Sequence, residues 1–383
     1  MPFYSRKTLV LFKLESPYGT DAAPAGADAI LCKDVRVTPM NAEFDPRDFI
    51  RPYMGNSESL PAGEHGMLEF SVELQGSGVA ATAPKWGRLL RACGHSETIL
   101  AAPVTGSAQA GAARTVTLAV AASAVDGFYN GMHVTITSGT GNGQERVIVG
   151  YNGTSKVATV DRDWTTPPDA TSGYSIAANV QYRPVSTAFE GATAVTNIDG
   201  LQHKFVGTRG TVSIGVDARK KPMLRFRFLG LYSQPTDTAA ATPDYTAFKA
   251  PVVANTANTP IFSLHNVQPV VSSFSIDIAN QIEYRGLIGA ESIQQTDRKP
   301  TGSIKFEATS VATKNWWLIA RNATLDALAV VHGAAPGFRV GFGSPSIQVG
   351  PPGYEDEQGV AMFRCALTPV PVVGNDESWI TSY

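Results

Sequence analysis

Three features of this 383-residue sequence predict an all-β protein with more than one core. Glycine and proline are frequent, at 36 and 25 residues, and Thr, Val, Ser and Ala are abundant, a composition of short strands joined by many turns. Charged residues make up only 17%, below the roughly 25% of ordinary soluble domains. Hydrophobic residues reach 43%, enough over this length to fill more than one interior. Long helical periodicity is scarce, so helices should be few and short.

The formal net charge is −2 and no basic run occurs, so no patch suited to gripping phosphates is evident. Contact with nucleic acid would be loose or repulsive. Cys32, Cys93 and Cys365 are odd in number, far apart and without CxxC spacing, which reads as reduced, buried thiols of a protein made in the cytoplasm. No apolar run reaches the ~18 residues of a membrane span. Leu9-Val10-Leu11-Phe12 is too short for a secretory segment, so a soluble chain without a signal peptide is expected.

The chain repeats itself. Val35-Arg36-Val37-Thr38-Pro39 opens a long polar stretch that passes Arg51-Pro52-Tyr53-Met54-Gly55 and ends in the strand Leu68-Glu69-Phe70-Ser71-Val72-Glu73-Leu74. A short helix around Trp86 follows. Later, Val267-Gln268-Pro269-Val270 opens a second polar stretch containing Arg285-Gly286-Leu287-Ile288-Gly289, then Ser303-Ile304-Lys305-Phe306-Glu307 and a helix around Trp316. Matched positions lie 230 (Pro39 and Pro269), 234 (Gly55 and Gly289) and 236 residues apart (Phe70 and Phe306), as a tandem duplication predicts.

Each helix has its own signals. Pro84 sits where a first turn tolerates proline and Gly94 where a helix stops. Between them Trp86, Leu89, Leu90 and Cys93 make an apolar stripe at i, i+3, i+4 and i+7, leaving Arg88 and Arg91 on the wet side. Trp316, Ile319, Ala320 and Ala323 repeat that spacing. Both tryptophans read as core. Each half then closes with an alternating strand, Leu224-Arg225-Phe226-Arg227-Phe228 and, more weakly, residues 361–367.

Between residues 101 and 184 the texture changes to Ala, Gly, Thr and Ser. Strand candidates at 115–119, 132–137, 144–150, 156–161 and 173–177 are spaced by Asp126-Gly127, Asn130-Gly131 and Asn152-Gly153 turn signals. They predict a small β-sandwich or barrel inserted into the first unit, at the surface of any assembly. The division is therefore 1–100 with 185–235, an insert at 101–184, and a second unit at 236–383.

Searching for chemistry finds little. Gly139-Thr140-Gly141-Asn142-Gly143 lacks the Gly-Lys-Ser/Thr ending of a phosphate loop and reads as a hairpin turn. The six histidines are scattered without metal-ligand spacing, and no GxSxG occurs. Glu355-Asp356-Glu357, beside Pro351-Pro352-Gly353, reads as a solvated hairpin tip or a weak calcium ligand set. Trp379 and Tyr383 read as an exposed docking segment or a strand edge. No cofactor or metal is implied, and an enzyme is the least supported class.

Several segments together resemble the tail tube proteins of siphophages. They are Leu14-Glu15-Ser16-Pro17-Tyr18-Gly19-Thr20, the helix from Ala83 to Gly94, Arg209-Gly210-Thr211-Val212-Ser213-Ile214, and the strand region from Lys221 to Tyr232. The resemblance implies a β-sandwich or barrel flanked by a helix, with inner sheets joined around a ring into a barrel that conducts DNA and holds the tape measure protein. Single-unit members form hexameric rings, so a two-unit chain implies a homotrimer with pseudo-sixfold symmetry, stacked into a tube without membrane contact. It further implies that Glu69, Ser71 and Glu73, with Lys305 and Glu307 in the second unit, face either the lumen or solvent; an acidic wall there would repel phosphates. Residues 40–66 and 272–300 are too long for simple loops. In the family such a loop reaches the next ring, which would bury Phe44, Phe49 and Tyr53 only on assembly.

Two rival readings remain: another virion β-protein, such as a head decoration or tail terminator, and a carbohydrate-binding adhesin. The second would use Phe128, Tyr129, Tyr151, Trp164 and Tyr174 of the insert as an aromatic platform.

Overall fold

A computed structural model describes residues 3–383 and is nearly all strand. In the first half the elements are β1 (Thr8–Leu14), β2 (Lys33–Pro46), β3 (Ser59–Glu73), α1 (Gly87–Ala92), β4 (His95–Leu100), β5 (Asn179–Pro184), β6 (Ala192–Ile198), β7 (Leu201–Asp217) and β8 (Met223–Tyr232). The second half has β9 (Ile261–Leu264), β10 (Val271–Asp277), β11 (Asn280–Leu287), β12 (Ala290–Arg298), β13 (Thr301–Glu307) and α2 (Trp316–Arg321). It continues with β14 (Leu325–His332), β15 (Val340–Val349), β16 (Gly353–Glu357), β17 (Val360–Pro369) and β18 (Trp379–Ser382).

One antiparallel order of pairing occurs twice. In the first half it is β1–β6–β7–β8–β3–β2. In the second it is β9–β14–β15–β17–β13–β10. Both corner strands bend midway. β7 does so at a register shift after Val206, where Gly207 takes φ +59 and a Cβ would meet the Tyr18 ring. β15 is interrupted by Gly350-Pro351-Pro352 and continues as β16.

The alternating strands behave as their period requires, because the sheet is covered on one face. Leu68, Phe70, Val72 and Leu74 are all buried, and Phe70 pairs with Phe226 across β3 and β8. Phe12 and Phe228 join them with ring centroids 4.9 Å apart. In the second half Phe306 pairs with Phe363, at 5.8 Å between rings. The matched pairs Phe70/Phe306 and Gly55/Gly289 sit at like places, in core strand and hairpin turn. Pro39 and Pro269 do not. Pro39 lies inside β2, whose outer edge tolerates proline, whereas Pro269 precedes β10.

The two halves meet along a ladder. Residues 213–217 of β7 pair with 273–277 of β10, producing one eight-stranded sheet in the order β2–β3–β8–β7–β10–β13–β17–β16. A second layer, β4–β5–β18–β15–β14–β9, crosses the same boundary. The C-terminal strand β18 is thus the joint between β5 and β15, and Trp379 and Tyr383 are buried. Their expected exposure was wrong, because a strand paired on both sides has no free edge.

Seven strands from Val104 to Ile176 form a separate sheet with its own core. Observed strands fall within one or two residues of the five expected, and Val104–Ser107 and Ala110–Ala112 are additional. Tyr129, Tyr151, Trp164 and Tyr174 are core residues and Phe128 packs against them. The aromatic platform required for glycan binding is absent as a surface, since these rings fill the only interior this small sheet has. The insert is also clamped. Val147 and Val149 pack with Trp379, Tyr383 and β14, while Arg114 holds Asp326 through two contacts of 2.9 Å.

Candidate assembly surfaces

The face of the eight-stranded sheet turned away from the core carries Glu69, Glu73, Lys305 and Glu307, with Ser71 on the same face but buried among its neighbours. It is not acidic as a whole. Arg227 lies 3.6 Å from Glu69, Lys221 pairs with Glu73, and Arg36 is in register with Glu69. Lys305 is 3.1 Å from both Glu355 and Glu357, and Arg364 is 3.1 Å from Glu355. These contacts raise the Lys305 pKa, through Glu357 first and then Glu355. They lower that of Glu355, chiefly through Arg364 and then Lys305. Between the charged pairs lies a hydroxyl field of Thr211, Ser213, Ser273, Ser275 and Ser303, in which the Ser275 and Ser303 hydroxyls are 3.0 Å apart. The arrangement is charge-balanced and offers no concentrated site for an anion or a cation.

Both polar stretches are hairpin arms rather than loops. The first is the outer part of β2 and β3, closed by a turn over residues 47–58. Phe44 lies on β2 itself, while Phe49 and Tyr53 are in the turn. All three are bare, with Phe44 57% and Tyr53 66% exposed. Ile50 and Met54 beside them are fully exposed. So many uncovered large apolar side chains on one hairpin are unusual for a surface left in water.

The second arm, β11–β12, is docked on the first half. The Asn280 side chain donates to the carbonyls of Cys93 (2.8 Å) and Gly210 (3.0 Å), and its own oxygen accepts from Gln295 (2.9 Å). Arg209 donates to the Ile293 carbonyl at 2.8 Å and stacks on Tyr18. Ile293 N–H in turn donates to the Tyr18 hydroxyl at 2.8 Å. Sequence reasoning did not single out Asn280 or Gln295, since a polar side chain that serves distant carbonyls leaves no periodic signal.

The helices anchor the two halves alike and then diverge. Trp86 is buried and its indole N–H donates to the Gln75 carbonyl at 2.7 Å; Leu89, Leu90 and Cys93 are buried beneath it. Trp316 is equally buried and donates to the Thr309 hydroxyl at 3.3 Å. Ile319, however, is only half-buried, and Ala323 of the expected stripe is exposed. Both helices end on a left-handed residue, Gly94 (φ +72) and Ala323 (φ +49). Burial raises the thiol pKa values of Cys32 and Cys365 to about 12 and pushes the Cys93 thiol well above its ordinary range.

No curated protein matches this chain. A family model described as phage tail tube protein matches residues 5–362, nearly its whole length. With an all-β fold and a bare apolar hairpin arm, the chain belongs to the phage tail tube protein family and is a structural subunit of the bacteriophage tail, a part of the virion.

Proposed function

We propose that the chain builds the tail tube of a siphophage as a homotrimeric ring with pseudo-sixfold symmetry, derived from two tandem units and one insert. The observation that carries this reading is the ladder between β7 and β10, which already joins two like sets of strands inside one chain. The same join repeated between chains closes a ring. Eight strands per chain make twenty-four in three copies. A barrel of that size is roughly 45–50 Å across at the backbone, from the usual strand spacing and tilt.

In this reading residues 1–100 and 185–235 form the first unit, 101–184 the insert, and 236–383 the second unit. Glu69, Ser71, Glu73, Lys305 and Glu307 line the channel. Their paired charges and the hydroxyls between them hold phosphates weakly, so DNA and the tape measure protein pass through during assembly and ejection. Phe44, Phe49 and Tyr53 meet the adjacent ring when rings stack. Synthesis in the host cytoplasm agrees with three free thiols.

Negative-stain electron microscopy of the purified chain tests the proposal. Stacked rings with a channel and three outer knobs are expected. Six knobs per ring would overturn the two-unit arrangement, and a closed, non-tubular oligomer would overturn the tube. Deleting residues 44–53 should leave folded monomers that form no tubes, so tubes from this variant would remove the arm's role in stacking.

A further inference from the structure

Resting on that ring reading, we infer that the free edge of β16 receives β2 of a second copy in one register, with Thr38 opposite Glu357 and Arg36 beside the Glu357 carboxylate. Among the described residues β16 pairs only with β17, and β2 only with β3. They are the two open edges of the eight-stranded sheet, one at each end.

The register follows from the join inside the chain. Phe226 and Phe363 occupy like places opposite Phe70 and Phe306. Counting out from them, Gly215 (opposite Met223) stands where Glu357 stands (opposite Val360). On the incoming strand, Ser275 lies opposite Ser303 and Ser273 opposite Lys305. Their counterparts on β2 are Thr38, opposite Met67, and Arg36, opposite Glu69. Because Ser275 pairs with Gly215, Thr38 is set against Glu357.

Two further observations favour a second copy over any other occupant. The β16 edge carries Glu355, Asp356 and Glu357, and the register sets Arg36 of β2 beside Glu357, so the edges are complementary in charge at that point. Tyr354 is 68% exposed, whereas Val212, its counterpart on β7, whose edge β10 already occupies, is fully buried. The acidic run thus acquires a role as a receiving edge rather than a cation site. Pro39 has no N–H to donate, so the new ladder is one bond poorer than the internal one.

Cross-strand cysteines test the register. Ile278 N–H donates to the Val212 carbonyl, so Ser275 and Gly215 form a pair without mutual hydrogen bonds, the closer kind in an antiparallel ladder. Thr38→Cys with Glu357→Cys in the full chain should therefore yield disulfide-linked dimers and trimers on non-reducing gels of assembled rings, and nothing larger. Each single variant should stay unlinked, and so should Thr38→Cys with Asp356→Cys, where the second cysteine points to the other face. Rings visible by microscopy that fail to link, or that link equally in the slipped pair, would overturn the register while leaving the tube intact. A wild-type chain that forms closed, non-tubular oligomers would remove the tube and the seam together. As an independent reading, Arg36→Gln, which removes the charge without setting a second carboxylate opposite Glu69, should raise the concentration needed for assembly about fivefold, less so at high salt. An unchanged assembly concentration would overturn the ion pair.

Discussion

The segments around α1 and α2 begin with the same instruction and end in different surroundings. Each sets a tryptophan into the core beside a phenylalanine-rich sheet, and each stops on a left-handed residue. Around α1 the shell is complete: Tyr182 of β5 lies 5.5 Å from Trp86, and Asn280 and Gln295 of the second arm close over the helix end. Among the described residues no third arm covers α2, and Leu318 and Tyr354 stay bare. Burial at these helices is therefore set by which neighbour arrives, and the second half shows what the first half would look like without one.

The largest effect should separate anchor from shell. Trp86→Ala and Trp316→Ala, both at buried positions, should each cost about 3–5 kcal/mol in urea unfolding. One turn on, the halves should part: Leu90→Ala should cost about 2–5 kcal/mol and the half-buried Ile319→Ala about 1 kcal/mol. Equal losses at Leu90 and Ile319 would break the comparison, since they would mean that α2 is as well covered as α1.

Acid should also act on the end of α1, through His95. His95, just after α1, is buried, and burial together with the nearby Arg298 pulls its pKa down to about 4. Its ring nitrogen Nδ1 lies 3.1 Å from the Cys93 carbonyl. Because the folded pKa is below the ordinary 6.5, the unfolded chain takes up the proton first, so stability is whole above about pH 6.5 and falls as pH drops toward 4. The loss is of order 3 kcal/mol across that window. Thr324 holds the matching place after α2 and does not titrate in this range. Unfolding free energies at pH 7 and pH 5 should therefore differ more in the wild type than in His95→Gln; an equal difference would refute the assignment.

A smaller effect concerns the arm that completes the first shell. Asn280→Ala leaves the Cys93 and Gly210 carbonyls without their buried donor and should cost about 1–3 kcal/mol. Hydrogen exchange should show the loss at Gly94 and along β12 first. Protection unchanged there would mean that the arm is held by Tyr18 and Arg209 alone.

Much of this was legible in the sequence where a single face is covered. Leu68 to Leu74 and Leu224 to Phe228 alternate because one side meets the core and the other does not, and the Asp-Gly and Asn-Gly pairs of the insert announce its turns. What depended on distant partners was not legible. Glu69 and Glu73 read as an acidic face until Arg227 and Lys221, some 150 residues away in the chain, are brought alongside. Trp379 read as a loose end because nothing local says that β5 and β15 will close on both sides of it. The aromatic residues of the insert carry no mark that distinguishes a platform from a core.

The smallest change in folding should accompany a large change in assembly, and it falls on the barest residue of the second shell. Tyr354 rests one side of its ring near Phe363, at 5.3 Å, and leaves the rest open. Tyr354→Ser should move monomer stability by no more than about 0.5 kcal/mol, as exposed substitutions do. Its counterpart Val212, changed to Ser, loses a filled position and should cost about 1–3 kcal/mol. If a second copy covers β16, Tyr354→Ser chains should sediment as monomers at concentrations where the wild type forms tubes. Tubes formed at the wild-type concentration would mean that the open edge of the second half is simply a surface, and that the likeness between the two halves stops at the strand order.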